Sequence, residues 1–299
     1  MNDNQNILGY ETFCEEVKVA FPPQHQDVQP GMEYLMNPKP IFDDPNYIGT
    51  NKLQDKVAII TGGDSGIGRS VAIFFAKEGA DIVIVYYNEH VDANETKNYI
   101  EQLGRRCLLI AGDLRDENFC KKVVQDTICT FGRLDILINN AGVQFQQYCL
   151  ENITTRQFDD TFKINVYSYF YLTKAALPFL KNGASIINTT SITAYQGFDE
   201  LIDYSATKGA VVSFTRALAR SLVNKGIRVN AVAPGLIWTP IQVSSWDISV
   251  IPTFGSFTLM KRAGQPVEVA PAYVYLASND SSYVTGQVIH VDGGETMVS

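Results

Sequence analysis

Seven short runs rich in β-branched and other apolar residues recur along the chain from Lys56 onward: "KVAIIT", "DIVIVYY", "CLLIAG", "LDILINN", "ASIINTT", "IRVNAVAP" and "GQVIHV". Most are almost continuously apolar, without the alternation of a half-exposed strand, which predicts strands covered on both faces. Stretches with helical spacing lie between them, as at Val71, Phe74 and Phe75 in "SVAIFFAKEG". Strands alternating with helices close as a parallel sheet, because each helix carries the chain back across a face of the sheet. The expected fold is α/β, a doubly wound seven-stranded parallel sheet in one domain over residues 54–299. No internal repeat and no second domain is evident.

Residues 1–53 read differently. "FPPQHQDVQPGMEYLMNPKPIFDDPNYIGTNKL" is rich in Pro, Asn, Asp and Gln and has no helical or strand period. It is expected to form an extended N-terminal arm, with Tyr34 and Tyr47 as aromatic anchors, lying over the domain or a neighbouring subunit. A partly disordered tail would have the same composition.

The first apolar run leads directly into "TGGDSGIGRS", residues 61–70, and then into a helix. Gly62, Gly66 and Gly68 let the backbone turn tightly and approach a ligand at the helix N-terminus. Free N–H groups and the helix dipole favour a pyrophosphate there, with Asp64, Ser65 and Ile67 in the same loop. A glycine-rich turn is a weak signal alone, but its position between a strand and a helix is where a Rossmann-type nucleotide fold needs it.

Further motifs follow: "GDL" at 112–114, "NNAG" at 139–142, "IN" at 164–165, "INTTS" at 187–191, "YSATK" at 204–208 and "PGLIWTP" at 234–240. With the Gly-x-x-x-Gly-x-Gly spacing, this set resembles the short-chain dehydrogenase/reductase family over roughly residues 53–299. "QPGMEYLMNPKP" and "GGDSGIG" make the chain similar to the bacterial subgroup often labelled glucose/ribitol dehydrogenase-like. The resemblance implies a nicotinamide cofactor. Asp113, beside Leu114, would contact adenine, Asn140, Ala141 and Gly142 would form the adenine-side wall, and Pro234, Gly235, Ile237 and Thr239 would hold the nicotinamide carboxamide. It implies Asn165, Ser191, Tyr204 and Lys208 as the catalytic residues. Ser191 would stabilise a developing alkoxide, Lys208 would bind the nicotinamide ribose, and Asn165 would hold a water in a proton relay. It also implies a homotetramer built through the helices bearing Asn165 and Tyr204.

Tyr204 and Lys208 stand at i and i+4 on one helix face, so the ammonium can approach the phenol. A unit charge ~4 Å away at an effective dielectric of ~20 contributes roughly 4 kcal/mol, enough to lower a phenol pKa by up to about 3 units. Tyr204 is thus expected to exchange a proton with an alcohol or carbonyl near neutral pH.

The end of the second strand bears on the choice of nucleotide. Tyr87, Asn88 and Glu89 stand there, with Tyr86 at the usual position of an NAD-type aspartate and Asp92 and Glu95 beyond. The glycine loop adds Asp64 and Ser65. Acids repel a 2′-phosphate, so NAD is expected, with NADP possible through Arg69. Candidate substrate-pocket residues are Gln144, Phe145, Gln146 and Gln147, then Thr193, Tyr195 and Gln196. Trp246, Phe254 and Phe257 belong to the segment 241–262, which in the family is a mobile cover. The glutamines suit a hydroxylated substrate such as a sugar or polyol.

A formal charge of −8 and the absence of a basic tract argue against nucleic acid or anionic membrane as a partner. Five cysteines without paired spacing read as reduced thiols, and three scattered histidines predict no metal site. The polar, acidic first residues are not a signal peptide and no long apolar span occurs, so a cytoplasmic protein is expected. The expected activity is NAD-dependent oxidation of a small alcohol, sugar or polyol. The alternatives are an NADPH-dependent carbonyl, aldehyde or 3-oxoacyl reductase, and a non-catalytic nucleotide sensor. An enoyl reductase is disfavoured, because that branch spaces its tyrosine and lysine by seven and position 201 here is Leu201.

Overall fold

Each of the seven apolar runs is a strand in the computed structural model, which describes residues 21–296. Residues 1–20 of the expected arm, with Cys14, and residues 297–299 lie outside the described residues. The elements run β1 (Val57–Thr61), α1 (Gly66–Lys77), β2 (Asp81–Tyr86), α2 (His90–Gln102), β3 (Cys107–Ala111), α3 (Glu117–Phe131) and β4 (Ile136–Asn139). Then come α4 (Thr155–Phe162), α5 (Ser168–Ala176), β5 (Ser185–Thr189), α6 (Thr193–Gln196), α7 (Ile202–Leu222), β6 (Arg228–Pro234), α8 (Pro240–Val243), α9 (Pro266–Ala277) and β7 (Val288–Val291).

All strands are parallel, in the order β3-β2-β1-β4-β5-β6-β7. This is the Rossmann arrangement. The strand order reverses between β1 and β4, and the loops leaving their C-terminal ends splay apart to open a crevice.

Successive strand residues face opposite helical layers. Ala58 and Ile60 pack with Phe74, Phe75, Ile100 and Tyr273 from α1, α2 and α9. Val57 and Ile59 pack with Val123, Leu172 and Leu222 from α3, α5 and α7. Fully buried side chains such as Ile60 and Phe75 each contribute about 1.5–3 kcal/mol. Asp116 caps α3 by accepting from the Asn118 N–H, and Gly132 ends that helix at φ 75°.

Residues 21–53 lie against this same domain. Of the two expected anchors, Tyr47 packs on Phe74 with ring centroids 4.4 Å apart and donates its hydroxyl to Glu78. Tyr34 instead faces outward, 41% exposed. The anchor toward the cover is Phe21, stacked on Trp238 at 3.8 Å. With Met36, Leu201, Val243, Trp246, Ile251 and Phe254 these two form a third apolar cluster, which fastens the arm to the segment after β6.

Candidate active site

The C-terminal ends of β1, β4, β5 and β6 open into one cavity of about 570 Å³. Gly62, Asp64, Ser65, Gly66 and Ile67 line it on one side, and Asn140, Ala141 and Gly142 line its floor. Tyr87, Glu89, Asp113 and Leu114 stand at one end, with Ser191, Tyr204 and Lys208 also in the wall. Pro234, Gly235, Ile237 and Thr239 complete the lining from the β6 side. Three of the expected cofactor and catalytic residues lie off it. Gly68 packs behind the loop, Asn165 is fully buried beneath Gly142, and Asn88 is exposed at the surface.

Backbone geometry accounts for the glycines. Gly62 and Gly66 have φ of 63° and 51°, where a side chain is strained. A Cβ on Gly68 would lie 1.9 Å from the Gly62 carbonyl oxygen. Asn140 donates its side-chain amide to Thr61 O at 3.0 Å, and the Thr61 hydroxyl accepts from the Asn140 and Ala141 N–H groups at 2.8 and 2.9 Å. The loops after β1 and β4 are thereby locked together. A strand, a tight glycine loop and a helix N-terminus bordering a large cavity fit a dinucleotide.

The catalytic candidates reach the cavity from β5 and α7. Ser191 follows β5, and its hydroxyl pulls the Tyr204 phenol down. Burial is the larger effect and pushes Tyr204 up to about 12. Lys208 donates to Thr189 O at 2.9 Å, its Nζ lies 5.3 Å from the Tyr204 ring centroid, and burial pushes it down to about 7. This corrects the expectation that the ammonium lowers the phenol. Lys208 is buried and Tyr204 half-buried, the desolvation of each disfavours its charged form, and the ammonium is hydrogen-bonded to a carbonyl. The phenol therefore stays protonated through the neutral range.

Asn165 sits in a π-helical turn, Lys163–Tyr167, between α4 and α5. Its Oδ1 accepts from Val143 N–H at 2.8 Å. Its Nδ2 donates to Val143 O at 2.9 Å and to the Thr207 hydroxyl at 3.1 Å. Its side chain thus fixes the loop after β4 to α7.

At the other end, Asp64 and Glu89 are both buried. Glu89 Oε2 accepts from the Tyr87 and Asn88 N–H groups, and its Oε1 has no hydrogen-bond partner among the described residues. Burial and then the facing Glu89 push Asp64 up to about 7, and burial raises Glu89 as well. Asp113 is tied to Arg115 at 2.7 Å; burial opposes its ionisation, but the Arg115 bonds prevail and hold it low.

Arg69 does not reach the cavity. It is fully buried, 2.7 Å from Glu33, 3.2 Å from Glu95 and 3.6 Å from Asp92. The expectation that it could receive a 2′-phosphate is corrected: three carboxylates already surround it. Burial pushes Glu33 up to about 7 against the pull of Arg69.

A raised Asp64 pKa means that the fold holds this proton more tightly than the unfolded chain does. Stability from this group is complete below its ordinary value of about 4 and is lost as pH rises through about 7. Asp64→Asn should therefore gain melting temperature over the parent as pH rises from 5 to 8. A constant difference across that range would contradict the shift.

The substrate end holds Gln144, Phe145, Thr193, Gln196, Trp246, Phe254 and Phe257, as expected, together with Phe198, Glu200 and Gln242. Gln146, Gln147 and Tyr195 lie outside the lining. Gln146 donates to Glu200 and Gln147 donates to Gln157. The wall also contains three arm residues, Gln29, Pro30 and Gly31, which open the "QPGMEYLMNPKP" stretch but were not expected at the site.

A family model described as "Enoyl-(Acyl carrier protein) reductase" matches residues 62–296. The chain is 61% identical over 282 residues to the uncharacterized oxidoreductase YhxC of Bacillus subtilis (strain 168), covering 94% of this chain and 98% of that one. It is 49% identical to the glucose and ribitol dehydrogenase of Daucus carota, covering 92% and 96%. It is 50% identical to the chloroplastic NADPH-dependent aldehyde reductase 1 of Arabidopsis thaliana, covering 91% and 96%. Among solved structures, a short chain dehydrogenase from Burkholderia cenocepacia J2315 in complex with NADP superposes with a TM-score of 0.77 at 32% identity, covering 81% of this chain and 98% of that one. A 3-ketoacyl-(acyl-carrier-protein) reductase from Brucella melitensis complexed with NADH gives 0.75 at 34% identity, covering 82% and 100%. With the sheet order, the glycine loop and the Ser191, Tyr204 and Lys208 wall, these matches show that the chain belongs to the short-chain dehydrogenase/reductase family, among its glucose/ribitol dehydrogenase-like members, as an NAD(P)-dependent oxidoreductase.

Proposed function

We propose that this enzyme interconverts the CH–OH and C=O groups of a small hydroxylated substrate, a sugar or polyol, with NAD as the favoured cofactor. The observation that carries this reading is the meeting of Ser191, Tyr204 and Lys208 with the glycine loop in one cavity. The nicotinamide would accept or supply the hydride. Tyr204 would carry the proton to or from the substrate oxygen, while the Ser191 hydroxyl stabilises negative charge on it. Lys208, held by the Thr189 carbonyl, would face the cofactor ribose. Gln144, Gln196, Gln242 and Glu200 offer hydrogen bonds to hydroxyls beside Phe145, Phe198 and Trp246. Asp64 and Glu89 support NAD, because a 2′-phosphate there would meet two carboxyl groups, and Arg115 at that end of the lining is paired with Asp113 and Asp160.

A second reading, an NADPH-dependent carbonyl or aldehyde reductase, is favoured by one observation. A phenol pushed up to about 12 is ready to give a proton to a carbonyl, and oxidation requires it to be lost first. The spacing of Tyr204 and Lys208 argues against the enoyl reductase branch. We also propose a homotetramer, supported by Phe158, Tyr167 and Phe170, which are exposed around the turn that carries Asn165; a light-scattering mass of one chain would exclude it.

The test is a panel of sugars, polyols, alcohols and aldehydes assayed with NAD(H) and NADP(H) separately. Oxidation of a polyol or sugar with NAD is the expected result. Activity confined to NADPH and aldehydes would establish the second reading. Dinucleotide binding without turnover on any substrate would overturn both and leave a nucleotide sensor.

A further inference from the structure

The arm makes contacts that a covering tail does not need. Gln29 donates its amide to Gln144 O and, at 3.2 Å, to Ser244 O, and its Oε1 accepts from Gln144 N–H at 3.2 Å. One side chain thus joins the loop after β4 to the segment after β6. Four residues on, Glu33 Oε2 accepts from Gly66 N–H at 2.6 Å, at the first residue of α1, while its Oε1 faces Arg69. The Glu33 and Tyr34 N–H groups in turn donate to Asp92 at 2.7 and 2.9 Å, which fixes this stretch to α2.

Between those two anchors, Pro30 and Gly31 run along the cavity wall. The fit is close: a Cβ on Gly31 would lie 2.6 Å from Pro240 O. Gln26 N–H donates to Val243 O at 2.8 Å, and His25 Nδ1 lies 2.9 Å from Trp246 O, so the arm also holds α8 and the turn beyond it. Three loops that leave the sheet separately, after β1, β4 and β6, are therefore connected by one stretch of chain. An acceptor buried against Gly66 N–H also fixes the orientation of the glycine loop from behind, on the side away from the cavity.

We propose that Gln29 and Glu33 are positioning residues of the dinucleotide site, and that the Gln26–Glu33 stretch is a strap that must lift before bound dinucleotide can leave. The proposal rests on the cavity being the dinucleotide site. The strap slows exchange by holding the loop after β1 and the segment after β6 at a fixed separation, so loosening it speeds both entry and departure.

The test is stopped-flow displacement of NADH and NADPH from the full chain, following nicotinamide fluorescence, with Gln29→Ala and Glu33→Gln. Each variant should release dinucleotide about tenfold faster, the factor set by one or two hydrogen bonds. Circular dichroism and melting temperature report folding; if Glu33→Gln does not fold beside Arg69, Gln29→Ala decides. Wild-type binding followed by an unchanged off-rate in the folded variants would overturn the strap. A fall in melting temperature without faster release would make the two residues merely structural and overturn it as well. Absence of dinucleotide binding to the wild type would instead sink the assignment of the cavity.

Discussion

Tyr204→Phe should lower turnover by about 10²- to 10⁴-fold, the range for loss of a general acid/base, while dinucleotide affinity stays within a few-fold. The substitution removes only the hydroxyl, and the ring remains packed in the cavity wall. Lys208 would keep its hydrogen bond to Thr189 O. The parent enzyme should also show a distinctive pH profile. Because the phenol is pushed up to about 12, its proton is present across the neutral range, so any change in carbonyl reduction between about pH 6 and 9 should come from Lys208, pushed down to about 7, and not from Tyr204. Alcohol oxidation needs the phenolate and should rise with pH over the same interval. A variant that keeps a tenth or more of the parent activity would move the proton transfer to another group.

Gly68→Ala should weaken dinucleotide binding at least about 100-fold, close to 2.7 kcal/mol, measured by fluorescence titration. The added carbon would sit 1.9 Å from the Gly62 carbonyl oxygen and 2.8 Å from the Asn140 amide nitrogen. The nearest of these neighbours is backbone, so α1 must move away from the end of β1. Asn140 Nδ2, which donates to Thr61 O, would be displaced with it. Overpacking of this kind costs about 1–3 kcal/mol of stability, and a lower melting temperature should accompany the loss of affinity. Wild-type affinity in this variant would mean that the loop is not the pyrophosphate cradle.

Much of this architecture was legible because strand burial and helical spacing are local signals. The seven apolar runs became the seven strands, and the loop between β1 and α1 lies where its glycines pointed. The same local reading failed at Arg69. Its neighbours in sequence place it next to the loop, but Glu33 and Asp92 draw its guanidinium to the opposite side. Tyr204 and Lys208 were recognisable from their spacing. The direction of their pKa shifts was not, because desolvation depends on what surrounds the helix and not on the residues along it. Tyr34 failed as an anchor for a similar reason. Aromatic character favours burial, but only the partner surface decides which aromatic is covered, and that surface was found by Tyr47 and Phe21.

The arm also fixes when the enzyme can become complete during synthesis. His25 and Gln29 find partners in Trp246 and Ser244, which lie 221 and 215 residues later in the chain. A ribosome delivers the first of these long before the second, and N-terminal segments otherwise tend to fold first. Here the earliest described segment must wait for α8 to emerge before it can settle across the crevice. Dinucleotide retention should therefore be among the last properties acquired by a growing chain, and nascent chains that stop short of Trp246 should exchange nucleotide freely even after the first half of the sheet has formed.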